Sequence, residues 1–359
     1  MIWKREEKVM VNWGVMGAGG IARRRTIPEG IAKAKNAELV AVMDIDEKIA
    51  KDVADEYKVK AYTKEEELLD DKNVQAVYIA TPVNLHCKQV VAAANKGKHI
   101  LCEKSMAMTV EECEKMIEIC RDADVKLCLG YMMRFHTIHT RIKEMIQQDL
   151  LGRIVMSRAQ LSCWYPEIQG AWRQKKELGG GGSLMDMGTH CIDLLEFILD
   201  SKVAEVSCFT GNLAHKYEVE DTAVVLMRFE NSAQGIVDNC FSIPDDSSKN
   251  MLEIYGTKGS ILCKGTIGQG DGGEAILYIE EEGKQYDADQ KREPISSSEI
   301  INPKPINTYQ AEIEHFSDCI INDTKPSTSG EDGIWSQKVG LACYESASTG
   351  KVVKINKRR

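Results

Sequence analysis

Residues 11–22 read VNWGVMGAGGIA. The run VNWGVM is apolar at most positions, as a strand buried on both faces requires, and it stops at a glycine. Gly17, Gly19 and Ala22 occupy the three positions of G-x-G-x-x-[GA], with Gly20 between them. That spacing serves one mechanism: a tight turn at the first glycine, close approach of a pyrophosphate at the second, and packing of the next helix on the strand at the third. The free N–H groups at the start of that helix then face an anion. The mechanism also needs an acid closing the second strand, and LVAVMDIDE supplies Asp44. Its carboxylate accepts hydrogen bonds from ribose hydroxyls and repels a 2′-phosphate, so NAD is expected in preference to NADP. Arg23, Arg24 and Arg25 follow the motif. They read either as an exposed basic turn or as a rescue of 2′-phosphate binding.

Outward from this stretch, the runs AELVAVMD, VQAVYIA, KHILCE and KLCLGY alternate with EKIAKDVADEY and VEECEKMIEICRDA. Short β-branched runs separated by amphipathic stretches predict parallel strands with crossover helices, hence a doubly wound α/β domain of the Rossmann type over residues 1–133. The first nine residues precede its first strand. From Arg134 the texture changes to longer alternating runs, GRIVMSRAQLSCWY, AVVLMRFENSAQGIVDNC and NMLEIYGTKGSILCKG, joined by Gly, Asn and Asp. These predict a large open mixed sheet, mostly antiparallel, in a second α/β domain over 134–359. Residues Gly265 to Pro294 read as a surface hairpin. Two helical segments, TYQAEIEHFSDCIIND and EDGIWSQKVGLACYESASTG, close the chain.

At 359 residues the chain exceeds the ~250–300 that one core usually serves, so two domains are the default. A net charge of -9 argues against nucleic acid as the partner. The charged start MIWKREEKVM is unlike an apolar signal peptide, and no apolar run reaches the length of a membrane span, so a cytoplasmic location without membrane contact is expected. The 12 cysteines are scattered without a C-x-x-C pair, which predicts buried reduced thiols rather than disulfides.

Residues 177–200, ELGGGGSLMDMGTHCIDLLEFILD, place four glycines ahead of a helix. At 100° per residue, Leu184, Cys191, Leu195, Ile198 and Leu199 form a buried face, with Met187 and Leu194 at its margin. The opposite stripe is Asp186, His190, Asp193 and Phe197. Asp186 and His190 lie four apart, on adjacent turns. The stripe reads as a solvated face or as a carboxylate–imidazole pair for proton transfer, with bare backbone before it to admit a ligand.

In order along the chain stand GVMGAGGIA, YIATPVNLH (78–86), HILCEKSMAMT (99–109), GAWR (170–173), GGGGSLMDMGTH and SGEDGIWSQKVGLACYESASTGK. Taken together they resemble the Gfo/Idh/MocA family of oxidoreductases over nearly the whole chain. The resemblance implies a Rossmann domain followed by an open-sheet α/β domain used for homo-oligomer contacts. It implies NAD(P)-dependent chemistry at a secondary hydroxyl of a sugar or cyclitol, and a last helix packing back toward the first domain. The family's E-K-P maps onto Glu103, Lys104 and Ser105, with the proline replaced, and its D-x-x-x-H onto Asp186 and His190. By the same resemblance Thr81, Pro82, Asn84, His86 and Glu103 flank the cofactor. Arg134 stands at the domain junction, Trp172 and Arg173 line the pocket near the nicotinamide, and Tyr165 and Tyr309 reach the substrate.

In the mechanism so implied, His190 takes the hydroxyl proton, Asp186 orients the imidazole, and Lys104 donates a hydrogen bond to the oxygen as it becomes a carbonyl. A metal held by Asp186, His190, His136 and His139 is the competing reading of the same groups. Hydride transfer needs none, and Lys104 would repel one, so no metal is expected. Within the family, the expected substrate is a neutral pyranose oxidised at C3 of a glucoside. An NAD-dependent glycosidase, a 1,5-anhydrofructose reductase or inositol dehydrogenase, and a non-catalytic dinucleotide-sensing regulator are the alternatives.

Overall fold

The computed structural model describes residues 9–280, 288 and 297–356. The chain divides into two compact units, residues 1–132 with 307–337, and residues 133–306 with 338–359.

The first unit holds a six-stranded parallel sheet: β1 (Val11–Met16), β2 (Ala37–Met43), β3 (Lys60–Tyr62), β4 (Ala76–Ile79), β5 (His99–Cys102) and β6 (Leu127–Leu129), in the order β3-β2-β1-β4-β5-β6. Its two faces carry separate apolar cores, one around Leu68, Val90, Ile100 and Met116, the other around Trp13, Ile27, Tyr78 and Phe316. Helices cover both faces, as the near-continuous apolar strands demand. The register aligns the carboxyl ends: Met16 lies opposite Met43 and Ile79, and Ile79 opposite Cys102. The residues that follow these strands, Gly17, Asp44, Ala80 and Glu103, therefore share one edge of the sheet.

The helix after the glycine turn, Ala22–Ile31, is π-helical and contains Pro28. Proline removes one donor and crowds the carbonyl four residues earlier, and the wider turn accommodates its ring.

The unit's composition corrects the expected boundary. Residues 307–337 join the first unit rather than the second, so the helix Thr308–Ile321 belongs wholly to it and the last helix, Gly330–Thr349, only through Gln337. The reason lies in packing. Trp13 Nε1 donates to Ser317 Oγ at 3.1 Å, its ring meets Phe316 edge-on at 5.8 Å, and Asn36 Nδ2 donates to Glu314 O and Asp318 Oδ1. A Cβ on Gly30 would stand 3.2 Å from Tyr309 O, so this helix crosses the π-helix at a bare backbone position.

The second unit is built on a nine-stranded sheet of β7 (Ile154–Ser162), β8 (Val203–Gly211), β9 (Thr222–Phe229), β10 (Gln234–Cys240), β11 (Met251–Gly256), β12 (Gly259–Lys264), β13 (Glu274–Ile279), β14 (Ser297–Ile300) and β15 (Val353–Lys354), in the order β14-β13-β12-β11-β7-β10-β9-β8-β15. Among the described residues, β7 and β10 are the one pair in this sheet that runs parallel. The mixed, mostly antiparallel sheet matches the alternating pattern of its strands. Of the predicted 265–294 hairpin, β13 is present as one arm, and residues 281–287 and 289–294 lie outside the described residues. Ten of the twelve cysteines are buried and none is bonded to another, as their scatter implied. Among the described residues no helix is long and apolar enough to cross a membrane.

Candidate active site

At the carboxyl edge of the first sheet, Gly17 turns with φ +83°, and a Cβ there would stand 2.9 Å from Ala80 O. Only glycine fits both demands. Gly20 also has positive φ, +49°, with open space where a side chain would project. Asp44 Oδ2 accepts from Gly19 N at 3.1 Å and Oδ1 from Asp46 N at 3.0 Å. The carboxylate thus anchors the glycine turn, and each oxygen keeps a lone pair for a further donor. Bare backbone at a helix start, with an acid fixed beside it, fits the diphosphate and ribose of a dinucleotide. Of the three arginines, Arg23 and Arg24 are exposed, while Arg25 pairs with Glu29 at 2.6 Å.

Thr81 and Pro82 lead into the helix Val83–Asn95, which carries Asn84 and His86. His86 is 1% exposed, with Nδ1 2.9 Å from Ser105 O and Nε2 3.0 Å from Thr81 O. Burial holds its pKa below the ordinary histidine value. The ring ties the Thr81 loop to the segment carrying Lys104, whose peptide bond to Ser105 is cis. His86 is therefore a brace between these two loops.

A second brace was not read from the sequence. Thr26 Oγ1 donates to Tyr78 Oη at 2.9 Å, Tyr78 Oη donates to Glu103 Oε1 at 2.5 Å, and Glu103 Oε2 accepts from Lys104 N at 3.3 Å. Thr26 and Tyr78 are fully enclosed. A Cβ on Gly130 would stand 3.1 Å from the Glu103 carboxyl carbon, so bare backbone makes room for it. This chain links the helix after the glycine turn to the backbone of Lys104. Tyr309 is buried near it, its hydroxyl pushed up first by burial and then by the charges of Glu103 and Glu312.

In the second unit the predicted helix begins as a π turn, Leu184–Gly188, and continues as the α-helix Thr189–Leu199. Its predicted core face is buried as expected. The opposite stripe is not a solvated face: His190 and Asp193 are also buried, and Phe197 is covered by Lys143, whose Nζ stands 4.3 Å from the ring centroid. Asp186 is half-buried, with Arg173 Nε donating to its Oδ1 at 3.3 Å. The Arg173 guanidinium lies 4.3 Å from the Trp172 ring centroid. Burial raises the Tyr165 hydroxyl, while the charge of Arg173 opposes the rise. Arg134 forks onto Asp193, with Nε 2.9 Å from Oδ2 and Nη2 2.5 Å from Oδ1. Its charge is thus committed within the unit. His136 and His139 are likewise engaged: their rings are 4.5 Å apart, His139 Nδ1 faces Met133 O, and burial pushes His139 down to about 3.

Three of the four glycines have an explanation other than ligand access. Gly180 adopts φ +80°, a Cβ on Gly181 would collide with Tyr344 Oη at 1.8 Å, and one on Gly182 with Glu220 O at 1.9 Å. The buried Glu220 carboxylate accepts from Gly182 N, Leu184 N and Tyr344 Oη. It thereby caps the helix that carries Asp186 and His190. Neither Glu220 nor Tyr344 has a local sequence signal.

Residues 11–131 match the oxidoreductase family with an NAD-binding Rossmann fold, and residues 139–262 match the GFO/IDH/MocA C-terminal domain. The chain is 30% identical over 348 residues to a 1,5-anhydro-D-fructose reductase of Ensifer adhaerens, covering 96% of this chain and 99% of that one. It is 28% identical over 355 residues to a myo-inositol 2-dehydrogenase of Thermotoga maritima, covering 95% and 98%. Its fold matches an aldose-aldose oxidoreductase of Caulobacter crescentus with a TM-score of 0.85 at 24% identity, over 96% of this chain and 99% of that one. With both halves matched in order and the dinucleotide turn in place, the chain belongs to the GFO/IDH/MocA family and is an NAD(P)-dependent oxidoreductase.

Proposed function

We propose that the protein transfers hydride between NAD and a secondary hydroxyl or carbonyl of a neutral pyranose, with C3 of a glucoside the leading position. The observation that carries this reading is the pairing of Asp186 with Arg173 over Trp172, on the same segment as His190. A carboxylate, an imidazole and an aromatic face together suit a polyol with one apolar side. Arg173 is engaged by Asp186, which leaves it poorly placed to reserve its charge for an anionic substrate.

Gly17, Gly19, Gly20, Ala22 and Asp44 would hold the diphosphate and ribose of the dinucleotide, with Thr81, Pro82, Asn84, His86 and Glu103 beside it, and its nicotinamide would supply hydride acceptance and release. His190 removes the hydroxyl proton, Asp186 orients and stabilises the imidazolium, and Lys104 donates to the substrate oxygen as the carbonyl forms. In the reducing direction His190 returns the proton. Trp172 and Tyr165 flank the sugar, Tyr309 reaches it from the start of its helix, and Arg134 acts through Asp193, which it holds.

A substrate panel tests the reading: glucose, methyl β-glucoside, myo-inositol, a nucleotide sugar and 1,5-anhydrofructose, each with the matching cofactor form and the product carbonyl located by NMR. A preference of more than about tenfold, or 1.4 kcal/mol, for inositol or the nucleotide sugar over every simple pyranoside would sink it. Reduction of 1,5-anhydrofructose is the second reading, favoured by the 30% identity to a reductase of that sugar. Sugar cleavage without net NADH would instead indicate an NAD-dependent glycosidase.

Asp44 sets the cofactor preference. In the unmodified enzyme kcat/KM is expected to be higher with NAD than with NADP. Asp44→Ala should cost NAD about tenfold or more, because charge-assisted hydrogen bonds to the ribose and the anchor on Gly19 are lost together. Equal kcat/KM for the two cofactors in the unmodified enzyme would refute this.

The open face of the second sheet supports self-association. Ser207, Leu226, Ile236, Arg158, Glu253, Leu262, Ile276 and Ile300 form one cross-strand row. Leu226 is 50% exposed and Phe209, at the edge of the same face, 74%. Exposed leucine, isoleucine and phenylalanine side chains on one sheet face, with Arg158 and Glu253 between them, suit an interface. A monomeric mass by light scattering at micromolar concentration would contradict it.

A further inference from the structure

The loops at one end of the second sheet carry a band of aromatic rings that the proposed chemistry leaves unused. Ser162 on β7 and Thr222 on β9 both lie opposite Cys240 on β10, and Gly211 on β8 lies opposite Thr222. The segments next to these residues, 163–165, 212–221 and 241–242, therefore emerge side by side. Tyr165, whose hydroxyl feels Arg173 and Asp186, packs on Phe241 with ring centroids 5.0 Å apart. Tyr217 Oη donates to Tyr165 O at 3.3 Å, its ring stacks on His215 at 5.1 Å and 20°, and Trp164 meets His215 edge-on at 5.2 Å. The rings thus form a shelf of two groups, Tyr165 with Phe241 and Tyr217 with His215 and Trp164, joined where the Tyr217 hydroxyl meets the Tyr165 backbone.

The shelf is rigid. The Asp221 carboxylate accepts the backbone N–H groups of Leu213, Ala214 and His215, and His215 Nε2 lies 3.2 Å from Phe241 O. Trp164 N donates to Asp245 Oδ1 at 2.9 Å, and its backbone bridges to Ser242. Despite this anchoring the Trp164 side chain is 49% exposed. A half-exposed indole on a braced backbone gives up little conformational freedom when a ligand covers it, and its face suits the C–H side of a pyranose. Glu167 and Asp245 stand beside the shelf as acceptors for hydroxyls.

We propose that this shelf is a subsite for a second sugar ring, the one joined to the pyranose that reacts, so that the enzyme acts on glycosides of two or more rings. This rests on the sugar reading above and goes beyond it in naming the size of the substrate and the residue that selects it, Trp164.

The test compares methyl β-glucoside with cellobiose in the wild type and in Trp164→Ala, a substitution at a position exposed enough to leave the fold intact. The wild type should favour cellobiose in kcat/KM by about tenfold, the factor that 1.4 kcal/mol represents. Trp164→Ala should erase that preference while methyl β-glucoside stays within about twofold of wild type, inside the usual range for surface changes. An unchanged preference in the variant, or an equal loss on both sugars, overturns the subsite. If neither sugar is oxidised, the sugar-oxidation reading fails by itself, and calorimetry with cellobiose decides the subsite: binding to wild type but not to Trp164→Ala upholds it, and no binding to wild type rejects it.

Discussion

Lys104→Met and His190→Ala are each expected to lower kcat by roughly a hundredfold or more, the usual scale for removing a positioned proton-transfer or hydrogen-bonding group. NADH binding followed by fluorescence should survive in both. Lys104 leaves β5 at the edge where the glycine turn and Asp44 also lie, and its backbone is held by Glu103. Methionine keeps much of the side chain's length and removes its charge and donors, so the loss falls on the developing oxyanion rather than on packing. His190 is buried in the second unit's helix, and alanine there removes the base and opens a small cavity. His190→Gln is the control, since it restores volume and hydrogen bonding without restoring a titrating base. Near-normal turnover in the Met or Gln variant would remove that residue from the mechanism. Lost NADH binding in Lys104→Met would instead assign the lysine to the cofactor.

The largest expected effect on stability belongs to Gly182→Ala. Its Cβ would stand 1.9 Å from Glu220 O and 2.9 Å from the carbonyl carbon, both backbone atoms that cannot rotate away. Relief requires the Gly182 segment or the Glu220 segment to move, and either shift breaks bonds from Gly182 N, Leu184 N and Tyr344 Oη to a buried carboxylate. Overpacking alone costs about 1–3 kcal/mol, and uncompensated bonds to a buried charge add more. A fall in Tm of about 6–12 °C follows for about 3 kcal/mol in a unit of this size. Gly270→Ala, with open space around its Cβ and no positive φ, should stay within about 0.5 kcal/mol of wild type. If Gly182→Ala melted with the wild type, the close approach of Glu220 would not be a constraint on the fold.

Local chemistry made the first sheet readable. The glycine turn, the acid after β2 and the apolar runs each declare themselves within a few residues. β3 escaped because it is three residues long with two exposed, so it lacks the apolar signature of its neighbours. The π-helical starts after Gly20 and at Leu184 were read as ordinary helix, since the 3.6 period and the wider turn look alike over five to ten residues. The glycine run is the clearest case. Its position was plain, but its cause lies in Glu220, 38 residues away from Gly182, and in Tyr344, 124 residues beyond Glu220. Pattern reading has no access to partners at that distance. The same holds for Tyr78, which reads as one more apolar strand residue until its hydroxyl is seen between Thr26 and Glu103. Asp193 was legible as polar but its burial was not, because its partner Arg134 lies 59 residues before it.

The late helix Thr308–Ile321 also bears on how the chain is made. Trp13 waits for a partner 304 residues downstream, and at about 5–20 residues per second a ribosome takes roughly 15–60 s to deliver it. During that interval β1 and the π-helix are already synthesised, but the apolar face formed by Trp13, Ile27 and Ile31 lacks the cover that Ile313, Phe316 and Cys319 later give it. The nascent chain therefore carries a sticky half-finished sheet through most of its synthesis. Translation speed and the supply of holding chaperones become determinants of yield, and a fragment stopped at residue 132 keeps that face exposed for as long as it exists.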